Sequence, residues 1–285
     1  MKAKITALAA GLLCACVLSL AQVAHAAEPF KGNWTLSNFN QGMVHFALTH
    51  RMHGGNSSHS TDWPVGEFLG LDFSVPGKRE VQFHITRDAG RFDCEGYLND
   101  NEGAGLFRFT ANPQYPKDMQ ALGFTGIDEE KQFSMAATDV TVDFARQIKR
   151  ENLTGLDTGK LIAFRIFNVD SQFIREMRAE GITTNESDKL IAFRVHGVTP
   201  AFARGVRNAG FEVSEDQLIA FRVHGVSLEF IEKVRGLGFR ETDADQLVAM
   251  RVHGVTPEYI ARMQSRGMKD LTIDKMINLR VHGID

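Results

Sequence analysis

An eight-residue motif recurs through the second half of this 285-residue chain at a nearly constant interval. Copies of the pattern Leu-Ile-Ala-Phe-Arg-Val-His-Gly begin at Leu161, Leu190, Leu218, Leu247 and Met276, so the spacing is 29, 28, 29 and 29 residues. A period in this range is typical of a stacked repeat array, in which each copy covers the apolar face of its neighbour. We therefore predict a repeat array over residues 111–285.

The ends of each copy predict two short helices joined by turns. Gly197 and its equivalents are Gly, Asp or Asn, which tolerate the left-handed backbone that follows a helix. Two residues later, Thr199 and its equivalents are Thr, Ser or Asp, which cap helix N-termini. The first helix carries an apolar run at residues 190–195 that favours burial. We expect five complete copies, counting a divergent one from Gln132, with a half copy at each end.

Residues 27–110 follow a different period, in which apolar and polar residues alternate. The alternation is clearest at residues 44–49, 81–86, 91–95 and 106–110. Strict alternation predicts half-buried strands, and the short turns between them indicate an antiparallel meander of five or six strands. A polar loop from Arg51 to Trp63 is expected to interrupt it. The fold class is thus α+β: an antiparallel β domain followed by a short α-helical solenoid of 28–29-residue two-helix repeats. Because the first half copy follows the last strand directly, the β domain should cap the array.

The first 26 residues predict a signal peptide. Two lysines precede an apolar stretch, and Ala24-His25-Ala26 forms a cleavage signal. We expect a periplasmic or secreted protein whose mature chain begins after Ala26 and has no transmembrane segment. A lipoprotein anchored at Cys16 is the alternative. Cys94 is then the one cysteine of the mature chain, which predicts no internal disulfide and a small buried thiol.

The amino-acid composition excludes few classes of function, but the sequence lacks the common motifs of catalytic sites. A formal net charge of −3 gives no reason to expect bulk binding to nucleic acid. A nucleophile elbow is absent, and Gly103-Ala104-Gly105 does not stand between a strand and a helix as a phosphate loop would. We expect no enzymatic activity and no cofactor.

The repeat also resembles one that occurs in known bacterial proteins. Residues 245–260 resemble a helical repeat of small exported proteins, which also occurs C-terminal to antirepressor-type zinc metallopeptidases of the β-lactam-sensor family. Residues 86–92 resemble the β module that precedes such repeats. The resemblance covers most of the mature chain and implies export and a repeat fold. It implies no chemistry, because the His-Glu-x-x-His motif and the membrane helices of the peptidases are absent here.

Arginine occupies the fifth position of each occurrence of the eight-residue motif. The five residues are Arg165, Arg194, Arg222, Arg251 and Arg280, and we call them the arginine ladder. A row of guanidinium groups can bind carboxylates of a partner protein, so these are our candidate partner-binding residues. The alternative is an intramolecular role in which they pair with aspartates of a neighbouring copy, such as Asp188 or Asp216, and complement the helix dipole.

Histidines form two further candidate sites. His196, His224, His253 and His282 recur once per copy, but packed helices lie too far apart for two of them to share a zinc ion. His45, His50, His53 and His59, with Asp62 nearby, could form a metal site in the β domain. An exposed polar loop explains that second group better.

These observations favour a non-catalytic binding or scaffold protein of the cell envelope, which uses the repeat surface for protein interaction and has no nucleic-acid partner. One alternative is a metal-binding protein or metal-dependent enzyme that uses the histidines of the β domain. The other is a carrier of a small ligand, with the β domain as its pocket.

Overall fold

The structure of the protein is a computed structural model, and it describes residues 30–52 and 55–284. The predicted signal peptide, the alternative lipid anchor at Cys16, and His53 lie outside these residues.

The first part of the described chain is a six-stranded antiparallel sheet with the order β3-β2-β1-β6-β5-β4. The strands are β1 (Phe30–Asn40), β2 (Met43–Met52), β3 (Gly55–Pro64), β4 (Lys78–Arg87), β5 (Gly90–Asn99) and β6 (Glu102–Ala111). The four predicted strand segments all lie in strands. The predicted loop from Arg51 to Trp63 is wrong, because most of it is β3, which pairs with β2 along its whole length.

The sheet curls strongly around its aromatic face. Phe46 of β2 and Phe83 of β4 lie 6.2 Å apart between ring centroids, although three strands separate β2 from β4 in the sheet order. The enclosed space is filled by fully buried side chains, including Trp34 and Phe92. A filled interior disfavours the alternative of a small-ligand carrier, which needs an apolar cavity.

Twelve helices follow in the described residues. They are α1 (Tyr115–Ala121), α2 (Glu129–Ala137), α3 (Val142–Lys149), α4 (Thr158–Ile166), α5 (Ser171–Ala179), α6 (Ser187–His196), α7 (Pro200–Asn208), α8 (Glu215–His224), α9 (Leu228–Gly236), α10 (Ala244–Val252), α11 (Pro257–Ser265) and α12 (Ile273–Val281). The pairs from α2 and α3 to α10 and α11 form five two-helix copies, with α1 and α12 as half copies. The α+β fold is thereby confirmed. None of the helices in residues 30–52 and 55–284 is both long enough and apolar enough to cross a membrane.

The local chemistry of the helix ends is the one that the sequence predicts. The side chain of Thr199 accepts a hydrogen bond from the N–H of Phe202 at 3.1 Å, and Ser214 forms a capping box with Gln217 at the start of α8. Gly197, after α6, has a φ of 71°. Non-glycine residues also adopt this conformation where the pattern places Asp or Asn, as at Asn168 with a φ of 55°.

Helix α2 joins the sheet to the array. Its Phe133 is fully buried and packs against Phe107 of β6 at 5.8 Å and Phe109 at 5.4 Å between ring centroids. The amide of Gln132 donates at 2.6 Å to the carbonyls of Ala89 and Asn112, which lie next to the ends of β5 and β6. Arg87 of β4 donates to the carbonyl of Ala136 at 2.9 Å. The sheet therefore covers the first copy of the array, as a terminal cap does in a solenoid.

Candidate functional site

The arginine ladder lies at the C-terminal ends of α4, α6, α8, α10 and α12, and each guanidinium group contacts the preceding copy. Every one of the five stacks on the aromatic ring near the start of the preceding second helix. The rings are, in order, Phe144, Phe173, Phe202, Phe230 and Tyr259, at 5.2, 3.8, 4.9, 5.1 and 4.9 Å from the guanidinium carbon to the ring centroid. Stacking of this kind stabilises by about 0.5–2 kcal/mol each, depending on exposure.

Several of these arginines also bind the end of the preceding first helix. The Nε–H groups of Arg165, Arg251 and Arg280 donate to carbonyls in the preceding copy, at 3.2, 3.2 and 3.1 Å. The acceptors are the carbonyls of Thr138, His224 and Gly254. The last carbonyls of a helix have no partner within it and carry its negative dipole end, so a cation there is favourable. The ladder thus contributes to the packing between copies.

The predicted pairing with an aspartate of a neighbouring copy occurs at Arg165, which pairs with Asp139 at 2.5 Å, but the predicted partners Asp188, Asp216 and Asp245 pair with other residues. The aspartates at the start of the first helices bind the preceding copy at their own end. Lys160 pairs with Asp188, Lys189 pairs with Asp216, and Gln217 donates to Asp245 at 3.0 Å. Residues at one end of a helix cannot reach the other, since nine helical residues span about 13 Å.

One aliphatic side chain per copy is exposed beside each arginine. We call Ile166, Val195, Val223, Val252 and Val281 the aliphatic ladder. Their exposed fractions are 54, 51, 53, 55 and 61 %. The expectation that the apolar run at residues 190–195 is buried is therefore wrong at its last member.

Helix geometry explains this exposure, and a helical wheel could have found it. At about 100° per residue, Val195 lies about 140° from Leu190 on one side and about 160° from Phe193 on the other. Leu190 and Phe193 are buried, at 1 and 0 % exposure. The side chain at position 195 consequently points away from the core that these two residues define.

The recurring histidines lie next to the aliphatic ladder in the sequence, and all four are exposed: His196, His224, His253 and His282. Across residues 30–52 and 55–284 there is no group of three or more His, Cys, Asp or Glu side chains that could hold a metal ion.

The described histidines of the β2–β3 hairpin do not all lie on the same face of the sheet. Strand alternation places His45 on the outer face of the sheet, while His50 and His59 face the core against Phe133 at 4.4 and 5.7 Å. A site that combines all of them is incompatible with this register.

A hydrogen-bonded chain that the sequence did not indicate links Ser60, His45 and Asp62. His45 Nδ1 lies 2.9 Å from Asp62 Oδ1, and Ser60 Oγ lies 2.6 Å from His45 Nε2. The order is that of a catalytic triad. In such a triad, however, the carboxylate is buried and orients the imidazole away from competing water. Here the side chains of His45 and Asp62 are 39 and 67 % exposed, so the chain is a surface network of the hairpin.

Three titratable groups in the sheet core have shifted pKa values. Burial lowers the pKa of His50. Burial, and then the nearby charge of His50, lower the pKa of His59. Burial and the neighbouring Asp93 carboxylate raise the pKa of the Cys94 thiol, which makes this cysteine a poor nucleophile at neutral pH.

A cleft of about 540 Å³ lies between the edge strand β3 and the start of the array. Four of its charged side chains are paired with one another, Arg165 with Asp139 at 2.5 Å and Arg87 with Glu67 at 2.7 Å. Ile166, the first member of the aliphatic ladder, lines the cleft as well. The exposed row therefore begins at this cleft and continues along the array.

A scan against protein-family models found no match to this chain, and searches of the curated proteins and of the solved structures also found none.

Proposed function

We propose that this chain is an exported, non-catalytic binding or scaffold protein of the bacterial cell envelope, and that it binds a partner protein along the edge formed by the arginine and aliphatic ladders. The observation that carries the proposal is the aliphatic ladder. Single exposed apolar residues are ordinary on protein surfaces. The same position of α4, α6, α8, α10 and α12 places an exposed aliphatic side chain along one edge of the array, and repeated apolar exposure of this kind is typical of interaction sites.

The arginine ladder supplies the polar part of the same surface. Its five arginine residues are half-buried or exposed, although Nε of Arg194 is buried and has no hydrogen-bond partner among the described residues. Their stacking on the preceding copy limits their rotamers, which reduces the entropy lost when a partner binds. Export is the remaining part of the proposal, and the predicted signal peptide at residues 1–26 supports it.

The test must separate binding from folding. Changing the arginines to Glu would remove the stacks and the carbonyl bonds between copies, so lost binding would have two explanations. The triple substitution Val195→Ser, Val223→Ser and Val252→Ser alters exposed side chains and leaves those contacts in place. As a matched control we choose Asp188→Asn, Asp216→Asn and Asp245→Asn, at the opposite ends of the same helices.

The mature protein and both triple variants are used to capture proteins from envelope extract, and captured proteins are identified, purified and tested for direct binding. We expect to find a partner that binds the mature protein and the aspartate control but does not bind the valine variant. A partner that binds the mature protein and both variants equally would show that the aliphatic ladder is not the binding surface. The absence of any captured protein would also contradict the proposal. Cleavage after Ala26 is checked by N-terminal sequencing of the protein from the periplasm.

A further inference from the structure

We infer that the segment bound along this edge is an acidic amphipathic α-helix of a partner protein. The inference rests on the proposed function and adds the chemistry and the conformation of the partner.

The charge of the edge favours an acidic partner. Within the described residues, no carboxylate lies within 4.0 Å of the side-chain nitrogens of Arg194, Arg222 or Arg251. The ion pairs that the array does form join other residues, such as Arg178 with Glu151 at 2.5 Å. The three guanidinium groups instead contact aromatic rings and, for Arg251, a carbonyl. None of the three therefore forms an ion pair within 4.0 Å, although the charge of Arg251 also interacts with the Glu258 carboxylate, and their positive charges attract carboxylates.

The spacing of the ladder favours a helix. Packed helices lie about 8–10 Å apart, so successive members of the aliphatic ladder rise by about that distance. Residues seven positions apart on an α-helix lie on the same face and about 10.5 Å apart. Same-face residues of a β-strand recur at about 6.8 Å and 13.6 Å, and neither matches the step. A helix with one apolar residue in every heptad can thus contact each copy in turn.

The side chains of the ladder favour a protein over a membrane surface. Segments that lie in a lipid interface present Trp, Phe and Leu together with Lys or Arg. This edge presents Ile and Val with stacked arginines, which bind carboxylates in a fixed geometry. Acidic side chains next to each apolar contact of the helix would meet Arg194, Arg222 and Arg251 in turn.

The test uses two labelled peptides of about 29 residues, long enough for five heptad positions. Both carry Leu at every seventh position; the first has Glu at the flanking positions and the second has Lys. Fluorescence anisotropy measures their binding to the mature protein and to the two triple variants. Vesicles of anionic phospholipid, and a proline-rich acidic peptide with Leu at every third position, are tested in parallel.

We expect the Glu peptide to bind at least about tenfold more tightly than the Lys peptide, and the valine variant to lose about tenfold in affinity. The aspartate control raises the net charge by three at the far edge, so it should change the affinity by less than about threefold if the contact is local. A stronger gain in that control would show general charge attraction and overturn the inference. Equal binding of both peptides, tighter binding of the vesicles or of the proline-rich peptide, or no binding of the Glu peptide would also overturn it. Envelope capture that depends on the valines while the Glu peptide fails to bind would leave the proposed function standing and refute the helix alone.

Discussion

His50 provides the sharpest test of how the sheet is attached to the array. Its ring lies between Phe30 at 4.7 Å and Phe133 at 4.4 Å, and the residue is 3 % exposed. Neither ring nitrogen has a hydrogen-bond partner among the described residues. A buried polar group without a partner destabilises a protein by about 1–3 kcal/mol in mutational data.

We therefore predict that His50→Leu stabilises the protein. The gain from removing the unpaired nitrogens exceeds the packing change, which for a swap of similar volume is below about 1.5 kcal/mol. The expected net effect at pH 7.5 is an increase of about 1 kcal/mol in the free energy of unfolding.

The effect should grow as the pH falls. The folded-state pKa of His50 is lowered from the ordinary histidine value of 6.5. Below that pH the unfolded chain binds a proton that the folded chain does not, so wild-type stability falls by up to about 1.4 kcal/mol per pH unit until the folded pKa is reached. The variant lacks this loss, so its advantage should be larger at pH 5.5 than at pH 7.5. His59, whose pKa is lowered too, keeps a weaker pH dependence in the variant.

Urea unfolding followed by tryptophan fluorescence measures this directly, because both tryptophans of the chain, Trp34 and Trp63, are buried in the sheet. His224→Leu, at an exposed position of the array, is the control and should change stability by less than about 0.5 kcal/mol. A loss of stability in His50→Leu at pH 7.5, together with an unchanged pH profile, would refute the reasoning.

Three further predictions concern the array and the thiol. Gly225→Ala should destabilise the protein more than Gly210→Ala. Both glycines have a positive φ (73° and 80°), but only at Gly225 would an added Cβ lie close to another side chain, 2.9 Å from Arg251 Nη2. Equal shifts of the thermal unfolding midpoint would contradict this. Arg251→Met should lower the free energy of unfolding by about 1–2 kcal/mol, because a carbonyl bond and an aromatic stack are lost, and denaturant titration measures the loss. Cys94, buried at 4 % exposure with a raised pKa, should react with a thiol reagent only after unfolding, which a spectrophotometric thiol titration with and without denaturant would show.

The helices could be predicted from the sequence because their ends are set by contacts a few residues apart. The Thr199 hydroxyl reaches the N–H of Phe202 within one turn. The positive φ at Gly197 depends on that residue alone. Each single copy contains all the residues that make these short-range contacts. Because the copies recur, the same helix ends are predicted several times, which resolves the choice between helix and strand.

Strand β3 could not be predicted in the same way. Its residues are mostly Ser, His, Thr and Asp, which as a local sequence favour a loop. Pairing with β2 and the burial of Trp63, at 2 % exposure, hold it in the sheet. Strand preference depends on such neighbours more than on the residues themselves.

The partners of the arginine ladder depend on the offset between neighbouring copies, which no single copy contains. Both candidate partners, an aspartate and a helix end, recur with the same period as Arg251, so periodicity cannot choose between them. Packing decides: the guanidinium group lies over Phe230 and within 3.2 Å of the carbonyl of His224, at the same end of the helix as itself. Because no carboxylate of the described residues forms an ion pair with this guanidinium group, although the charge of Glu258 interacts with it, a carboxylate from another protein can still be bound there. The same contact that rules out the predicted aspartate pairing therefore keeps the predicted binding role of the ladder open to experiment.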